Sequence, residues 1–291
     1  ATPVGFFDMF VSIELGLIQA ANISFLIFAA FSCLFLMEKT GSIDAAIALM
    51  VNRTKKNPQF STGIIIVLMI LLSVWGSTGT LSYEEIMAFS PIFVALSLAL
   101  GYDALVGVGI SVVPVGVGFA SATMNPFTIG VAQTIAELPL FSGLAYRIVI
   151  LVVMTAFAIW YVLRYAKKVK KDPESSLLHG FDFSDLEVDE ERLGTPFTAQ
   201  RKLSMLTLFI GVCVMGYGLI FLKWYINQVA AIFMIVSIVV GIINKWNANK
   251  IASTLTEGLS RGVLPALIVG VARGILVVIT KGNILDTIIH S

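Results

Sequence analysis

Ser77, Thr78, Gly79 and Thr80, followed closely by Glu84 and Glu85, form one polar cluster, and Ser121, Thr123, Asn125 and Pro126 form a second. The first reads G-S-T-G-T-L-S-Y-E-E from Gly76, the second S-A-T-M-N-P-F-T-I-G from Ser121, and both interrupt apolar sequence. Glycine permits tight turns and proline removes an N–H and stops a helix, so both clusters are points where peptide groups lose helical partners. Helix N-terminal ends favour anions, while C-terminal ends and unwound carbonyls favour cations. The hydroxyls of Ser77, Thr78 and Thr80 and the amide of Asn125 add neutral donors and acceptors. This inventory suits a small polar solute, together with a hard cation on oxygen ligands. Glu84 and Glu85 are suited to carrying protons, pairing with a cationic group of the solute, or stabilising the turn. Helix capping is the plain alternative for any single Ser, Thr or Asn here, and for Glu84 in the first turn of a following helix.

Between Phe60 and Leu163 charge is confined to Glu84, Glu85, Asp103, Glu137 and Arg147. The last three stand at Gly/Pro-marked turns. Asp103 is expected to cap a turn, and Glu137 and Arg147 to pair across the loop 139–143. That leaves the two glutamates as candidates for charge at depth, where ionisable groups are costly and functional. Over the whole chain of 291 residues, 57% are hydrophobic and 13% charged, with mean hydropathy +0.93. Ordinary globular domains carry roughly 25% charged residues, so an all-α integral membrane protein is expected. A net charge of +1 says nothing about partners, and no basic patch suggests nucleic acid. Cys33 and Cys213 lie in apolar runs, His179 stands alone, and no CxxC, HExxH, GxSxG or intramembrane histidine dyad is present. An enzyme is therefore not the expected class, and no cofactor is expected. The opening A-T-P-V-G lacks the basic start and cleavage site of a signal peptide, so the chain is expected to begin partway through a longer protein.

The elements that must position the clusters follow from segment length, since a span needs about 20 apolar residues. Residues 17–37 form a span, and 43–53, apolar and then basic, form an interfacial helix. Residues 62–75 and 86–100 are shorter and are joined by the Ser77–Thr80 turn, so 60–100 is expected to be a re-entrant hairpin. Residues 104–136 form a helix rich in glycine, kinked at Pro114 and broken at Asn125-Pro126, and 144–163 the next span. The mixed-charge stretch 164–202 is a cytoplasmic linker. Spans 203–222, 229–243 and 259–279 follow, and Arg273 within the last needs a partner or a cavity. Lysine and arginine place the 53–56 cluster, the linker and the Lys245/Lys250 loop in the cytoplasm. Displacing the chain by 242 residues pairs Gly16 with Gly258, Leu17 with Leu259, Ala30 with Ala272, Leu34 with Leu276, Lys39 with Lys281, Asp44 with Asp286 and Ile47 with Ile289. The two copies start on opposite sides, the mark of an inverted repeat whose site lies between halves. Residues 1–163 are then a first repeat and 203–291 an incomplete second one, whose hairpin would fall beyond Ser291.

The runs T-G-S-I-D-A-A-I (40–47), Y-E-E (83–85), L-G-Y-D (100–103), A-T-M-N-P-F-T-I-G-V-A-Q (122–133) and R-Y-A-K-K-V-K-K-D-P (164–173) resemble the YfcC/DcuC group. This is the C4-dicarboxylate anaerobic carrier family of the ion transporter superfamily. The resemblance covers nearly the whole chain. It implies a homodimeric carrier of the bacterial inner membrane with two hairpins and two broken helices, working by elevator-type alternating access. In that superfamily S-N-T-like motifs at hairpin tip and broken helix bind carboxylate and sodium. The matching positions are Ser77, Thr78 and Gly79, and Thr123, Met124 and Asn125, with sodium implied at Ser77, Gly79 and Asn125. Neither stretch reads S-N-T, so sodium, proton and exchange coupling all stay open. The expected function is secondary transport of a small organic anion or amino acid through the lipid bilayer, as symporter or antiporter. A channel, or a membrane-embedded enzyme or scaffold, is the alternative.

Overall fold

The computed structural model describes residues 4–56, 59–79, 81–125, 128–129, 132–133, 137–139, 141–186, 194–222 and 224–284. Among these, regular structure is helical throughout. In hydrocarbon a helix satisfies every backbone group within its own segment, which is why an apolar chain of this kind folds so. Helices α1 (Phe6–Gln19) and α2 (Ala21–Lys39) are followed by α3 (Ser42–Lys56), α4 (Gln59–Ser77), α5 (Tyr83–Ala99) and α6 (Ala104–Ser121). After the second cluster come α7 (Leu144–Lys171), α8 (Ala199–Phe221), α9 (Ile226–Ile243), α10 (Ala248–Arg261) and α11 (Val263–Lys281). Seven of them (α2, α4, α6, α7, α8, α9 and α11) are long and apolar enough to cross a membrane.

Local chemistry sets several boundaries. The Asp103 carboxylate accepts from Val106 N–H at 2.9 Å and starts α6, as its position after Gly101 predicts. Thr198 and Asn247 likewise start α8 and α10 through bonds to Arg201 N and Lys250 N. Helix α7 continues to Lys171, eight residues into the stretch read as linker. Lys168, Lys170 and Lys171 lie in its last turn, where cations offset the negative helix pole. The two arms expected to be half-length are helices of 19 and 17 residues. The polar flanks Gln59–Ser61 and Gly76-Ser77 join the helix beyond its apolar run, so α4 reaches spanning length. Length therefore does not separate a re-entrant hairpin from two crossings.

Helix α6 is the hub of one group, with α4, α5 and α7 packed against it. At one end the Lys170 ammonium lies 4.5 Å from the Tyr102 ring and donates to Ser61 Oγ (3.2 Å) and Leu100 O (3.3 Å). Tyr165 and Ser176 hydroxyls donate to Asp103 Oδ2 at 2.5 and 2.6 Å, bringing the start of the linker onto the α5–α6 turn. Lys170→Met removes the charge that joins α7 to α4 and α5. At this exposed position the expected cost is about 1 kcal/mol, read as a lower thermal midpoint in detergent; an unchanged midpoint would show that the contact contributes nothing.

The second group pairs helices crosswise: α1 lies along α11, and α10 along α2. The boundaries of α1 and α10 move from 6 to 248 and from 19 to 261, a displacement of 242 at both ends. Those of α2 and α11 move from 21 to 263 and from 39 to 281, by the same 242. Close contacts are reciprocal too. A Cβ on Gly16 would lie 2.3 Å from Gly274 N, and one on Gly258 would lie 2.6 Å from Ser32 Cα. Gly258 and Gly274 stand 242 residues after Gly16 and Ser32 respectively. Ser32 Oγ also donates to Leu255 O at 2.9 Å.

The expected span from residue 17 is divided at Ala20, and that from 259 at Gly262, the start of α11 being at Val263. Helix α10 was invisible to a hydropathy reading because its large apolar residues are few. Ile251, Leu255 and Leu259 nevertheless recur at four-residue spacing, one helical stripe. Ile251 and Leu255 pack on the main core.

Candidate functional site

Ser77 ends α4 and Ser121 ends α6, and the two helices approach backbone to backbone just before those ends. A Cβ on Gly118 would lie 2.4 Å from Ser73 O and 2.7 Å from Ser77 N, and one on Gly76 would lie 2.9 Å from Val115 O. Only glycine allows such an approach. Beyond Ser121 the chain turns sharply. Ala122 takes φ 41° and ψ 58°, the left-handed region, while its N–H bonds Gly118 O at 2.8 Å. A non-glycine residue there costs roughly 1–2 kcal/mol, and such strain clusters at functional sites.

The turn delivers Thr123 to Ser77. Their hydroxyls are 2.8 Å apart, Thr123 Oγ1 is 3.2 Å from Ser77 O, and Met124 N–H donates to the same carbonyl at 3.2 Å. Ser77 Oγ also lies 2.8 Å from Val74 O. Ser77, Ser121, Thr123 and Asn125 are all buried, Asn125 completely. The two interrupted segments thus meet, through residues 46 apart in sequence. Of the other members of the clusters, Thr78 turns its hydroxyl back to Trp75 O at 2.9 Å, and Ser121 does the same to Val117 O at 2.8 Å. Gly79 has φ 76°, which the hairpin turn requires. Thr80, Pro126 and the side chain of Glu84 lie outside the described residues.

Glu85 is 4% exposed and closes a capping box at the start of α5. Its Oε2 accepts from Ser82 N at 2.8 Å and from the Ser82 hydroxyl. The capping role weighed for Glu84 is seen at its neighbour Glu85. Glu85 also lines a cavity of about 190 Å³ with Gly79, Ser82, Phe119 and Tyr225. Phe119 lies four residues before Thr123, so this cavity sits beside the meeting point of the clusters.

Two residues that the sequence reading missed contribute here. Gln133 holds the 141–142 turn, giving Nε2 to Ser142 O at 3.0 Å and accepting from Phe141 N at 2.6 Å. Arg147 was expected to face Glu137 across the loop. Its Nη2 points instead at Thr123 O, 3.4 Å away. The signal was present in the sequence: an arginine four residues after Gly143 sits at the positive end of α7, where a cation is disfavoured.

The apolar helices and the paired breaks define a multi-pass helical membrane protein. The model of the C4-dicarboxylate anaerobic carrier family (DcuC) matches residues 3–291, and the chain belongs to that family. The family is described as one of carriers. A Haemophilus influenzae protein named only "Uncharacterized protein" is 35% identical over 98% of this chain and 56% of its own length. The Escherichia coli "Putative basic amino acid antiporter YfcC" is 35% identical over 88% of this chain and 52% of its own length. The chain therefore spans about half the length of the curated relatives it matches. No solved structure matches.

Proposed function

We propose that the chain forms one half of a secondary transporter of the bacterial inner membrane, moving a small organic anion or amino acid by alternating access. The solute is held between the turn after α4 and the break after α6. One observation carries this reading: the Ser77 and Thr123 hydroxyls meet at 2.8 Å in buried surroundings. Irregular backbone at membrane depth persists only where it is enclosed by protein or lines a watery cavity. Two such interruptions held together, beside a cavity lined by Gly79 and Glu85, fit a solute site better than two unrelated caps.

The crosswise packing of α1 with α11 and of α2 with α10, at a constant displacement of 242, supports an inverted repeat. On that reading the hairpin is re-entrant, its tip lying near the midplane between halves. The elevator movement and the homodimer rest on family resemblance. For coupling, sodium at Ser77, Gly79 and Asn125 is the weaker reading. The Ser77 carbonyl already accepts from Met124 N–H and lies within bonding distance of the Thr123 hydroxyl, which leaves it little capacity for a cation. Proton coupling or solute exchange asks nothing of that carbonyl.

The test is uptake into proteoliposomes containing the full-length protein, with succinate and L-arginine as labelled probes. Saturable uptake that is accelerated by preloading with unlabelled probe is expected. Asn125→Ala is expected to lower it at least tenfold at equal membrane abundance, the effect of about 1.4 kcal/mol or more of lost binding. Unchanged uptake in Asn125→Ala would remove the break from the solute site. Non-saturating flux without acceleration by preloading would mean a channel.

A further inference from the structure

We infer that Arg147 is a specificity-determining residue of this site, and that it recognises a carboxylate group of the solute. This rests on the break after α6 being part of the solute site. The observation is a guanidinium at the break whose donors are mostly unspent. A guanidinium carries five N–H donors in a rigid fork. The described residues accept one bond from it, from Nη2 to Thr123 O, and at 3.4 Å that bond is long. The Nε atom is buried and has no partner among the described residues. A group placed merely to cap the carbonyl pole of α6 would make shorter bonds and more of them.

The surrounding electrostatics point the same way. Arg147 stands four residues from Gly143, which precedes α7, and its own N–H bonds Gly143 O at 3.2 Å. The positive pole of α7 and the guanidinium therefore add, instead of cancelling as they would at a helix C-terminus. A cationic substrate group is repelled from this spot and an anionic one is drawn to it. A planar fork that spends one donor on Thr123 O keeps an edge for a planar carboxylate, which it can engage through two parallel bonds. Carboxylates are carried by dicarboxylates and by amino acids alike, including basic ones, so the shared chemistry is the carboxylate and not the whole solute. For a basic amino acid the α-carboxylate would face Arg147 and the cationic end would lie away from it. Lysine in place of Arg147 keeps the charge but loses the fork.

The experiment uses the full-length protein in detergent and follows modification of individual arginines by phenylglyoxal with peptide mass spectrometry. Succinate or L-lysine is expected to slow modification of Arg147 at least tenfold. Succinamide and cadaverine, which lack the carboxylates, are expected to leave its rate within twofold. Arg201 and Arg261, which lie elsewhere in the fold, serve as internal references and keep their rates under all four probes. In parallel, Arg147→Lys is expected to raise the KM for the carboxylate probe about tenfold with kcat nearly kept, and Arg147→Gln to raise it further. If no carboxylate slows modification of Arg147, or if Arg147→Gln leaves KM within twofold of the parent, the assignment is overturned. These failures differ from failure of the site itself: if Asn125→Ala is inactive while Arg147 is unprotected, the break stands and Arg147 does not.

Discussion

Gly118→Val is expected to abolish uptake, while Gly63→Ala in the neighbouring helix is expected to leave it intact. Both glycines belong to the α4–α6 pair, and hydropathy alone does not distinguish them. A Cβ on Gly118 would meet Ser73 O at 2.4 Å, Ser77 N at 2.7 Å and the Gly76 carbonyl carbon at 2.9 Å. All three are backbone atoms of α4, so no side chain can turn away to make room. Relief requires the two helices to separate, and a few tenths of an ångström is not enough. Overpacking of this kind costs about 1–3 kcal/mol. The larger effect is on the site, because separation pulls Ser77 off Thr123 and opens the 2.8 Å contact between the clusters. A Cβ on Gly63 would have nothing within 4 Å. Replacing a glycine inside a helix by alanine stabilises the helix by up to about 1 kcal/mol. Proteoliposome uptake and the thermal midpoint in detergent measure both. Normal uptake by Gly118→Val would show that transport does not require the close approach of α4 and α6.

Gly16→Val and Gly258→Val are expected to destabilise the protein by similar amounts, about 1–3 kcal/mol each. They are 242 positions apart, and each is pressed against the backbone of the other copy's second helix. The Gly16 Cβ would fall 2.3 Å from Gly274 N and 2.5 Å from Gly270 O. The Gly258 Cβ would fall 2.6 Å from Ser32 Cα and 3.0 Å from Phe35 Cβ. If a repeat generated both contacts, neither glycine can be exchanged without moving α1 from α11 or α10 from α2. Thermal midpoints of the two single variants test this, together with the double variant, whose effects should add because the two sites do not share partners. A neutral Gly258→Val beside a damaging Gly16→Val would show the two contacts to be unrelated and would remove the main structural support for the repeat.

Much of the candidate site was legible before any fold was known, because lipid restricts what an apolar chain can do. Gly76–Thr80 and Ser121–Pro126 stood out since polar, helix-breaking residues within apolar runs have few explanations in hydrocarbon. The displacement of 242 was legible from a few identities, such as Lys39 with Lys281, and the helix boundaries carry the same number. Helices α1 and α10 were not legible from hydropathy. Each is 14 residues long, and what α10 offers is a stripe at four-residue spacing and not a continuous apolar run. The half-length reading of α4 failed for a related reason. Polar residues at helix ends still take helical geometry when their backbone finds partners, and composition does not register that.

Arg147 shows where sequence reasoning ends. Its neighbours in the chain, Pro139 to Gly143, suggested a surface loop and a partner in Glu137. The partner it reaches is Thr123 O, 24 residues away. Composition and patterning by themselves determined that this chain is helical and membrane-embedded, and where its helices must be interrupted, because burial of bare peptide groups in lipid is forbidden whatever the fold. Which interruptions meet, which glycines must stay bare and which charge faces the break were decided only by tertiary packing. Those depend on the placement of helices distant in sequence, and no local rule of propensity or hydropathy carries that information.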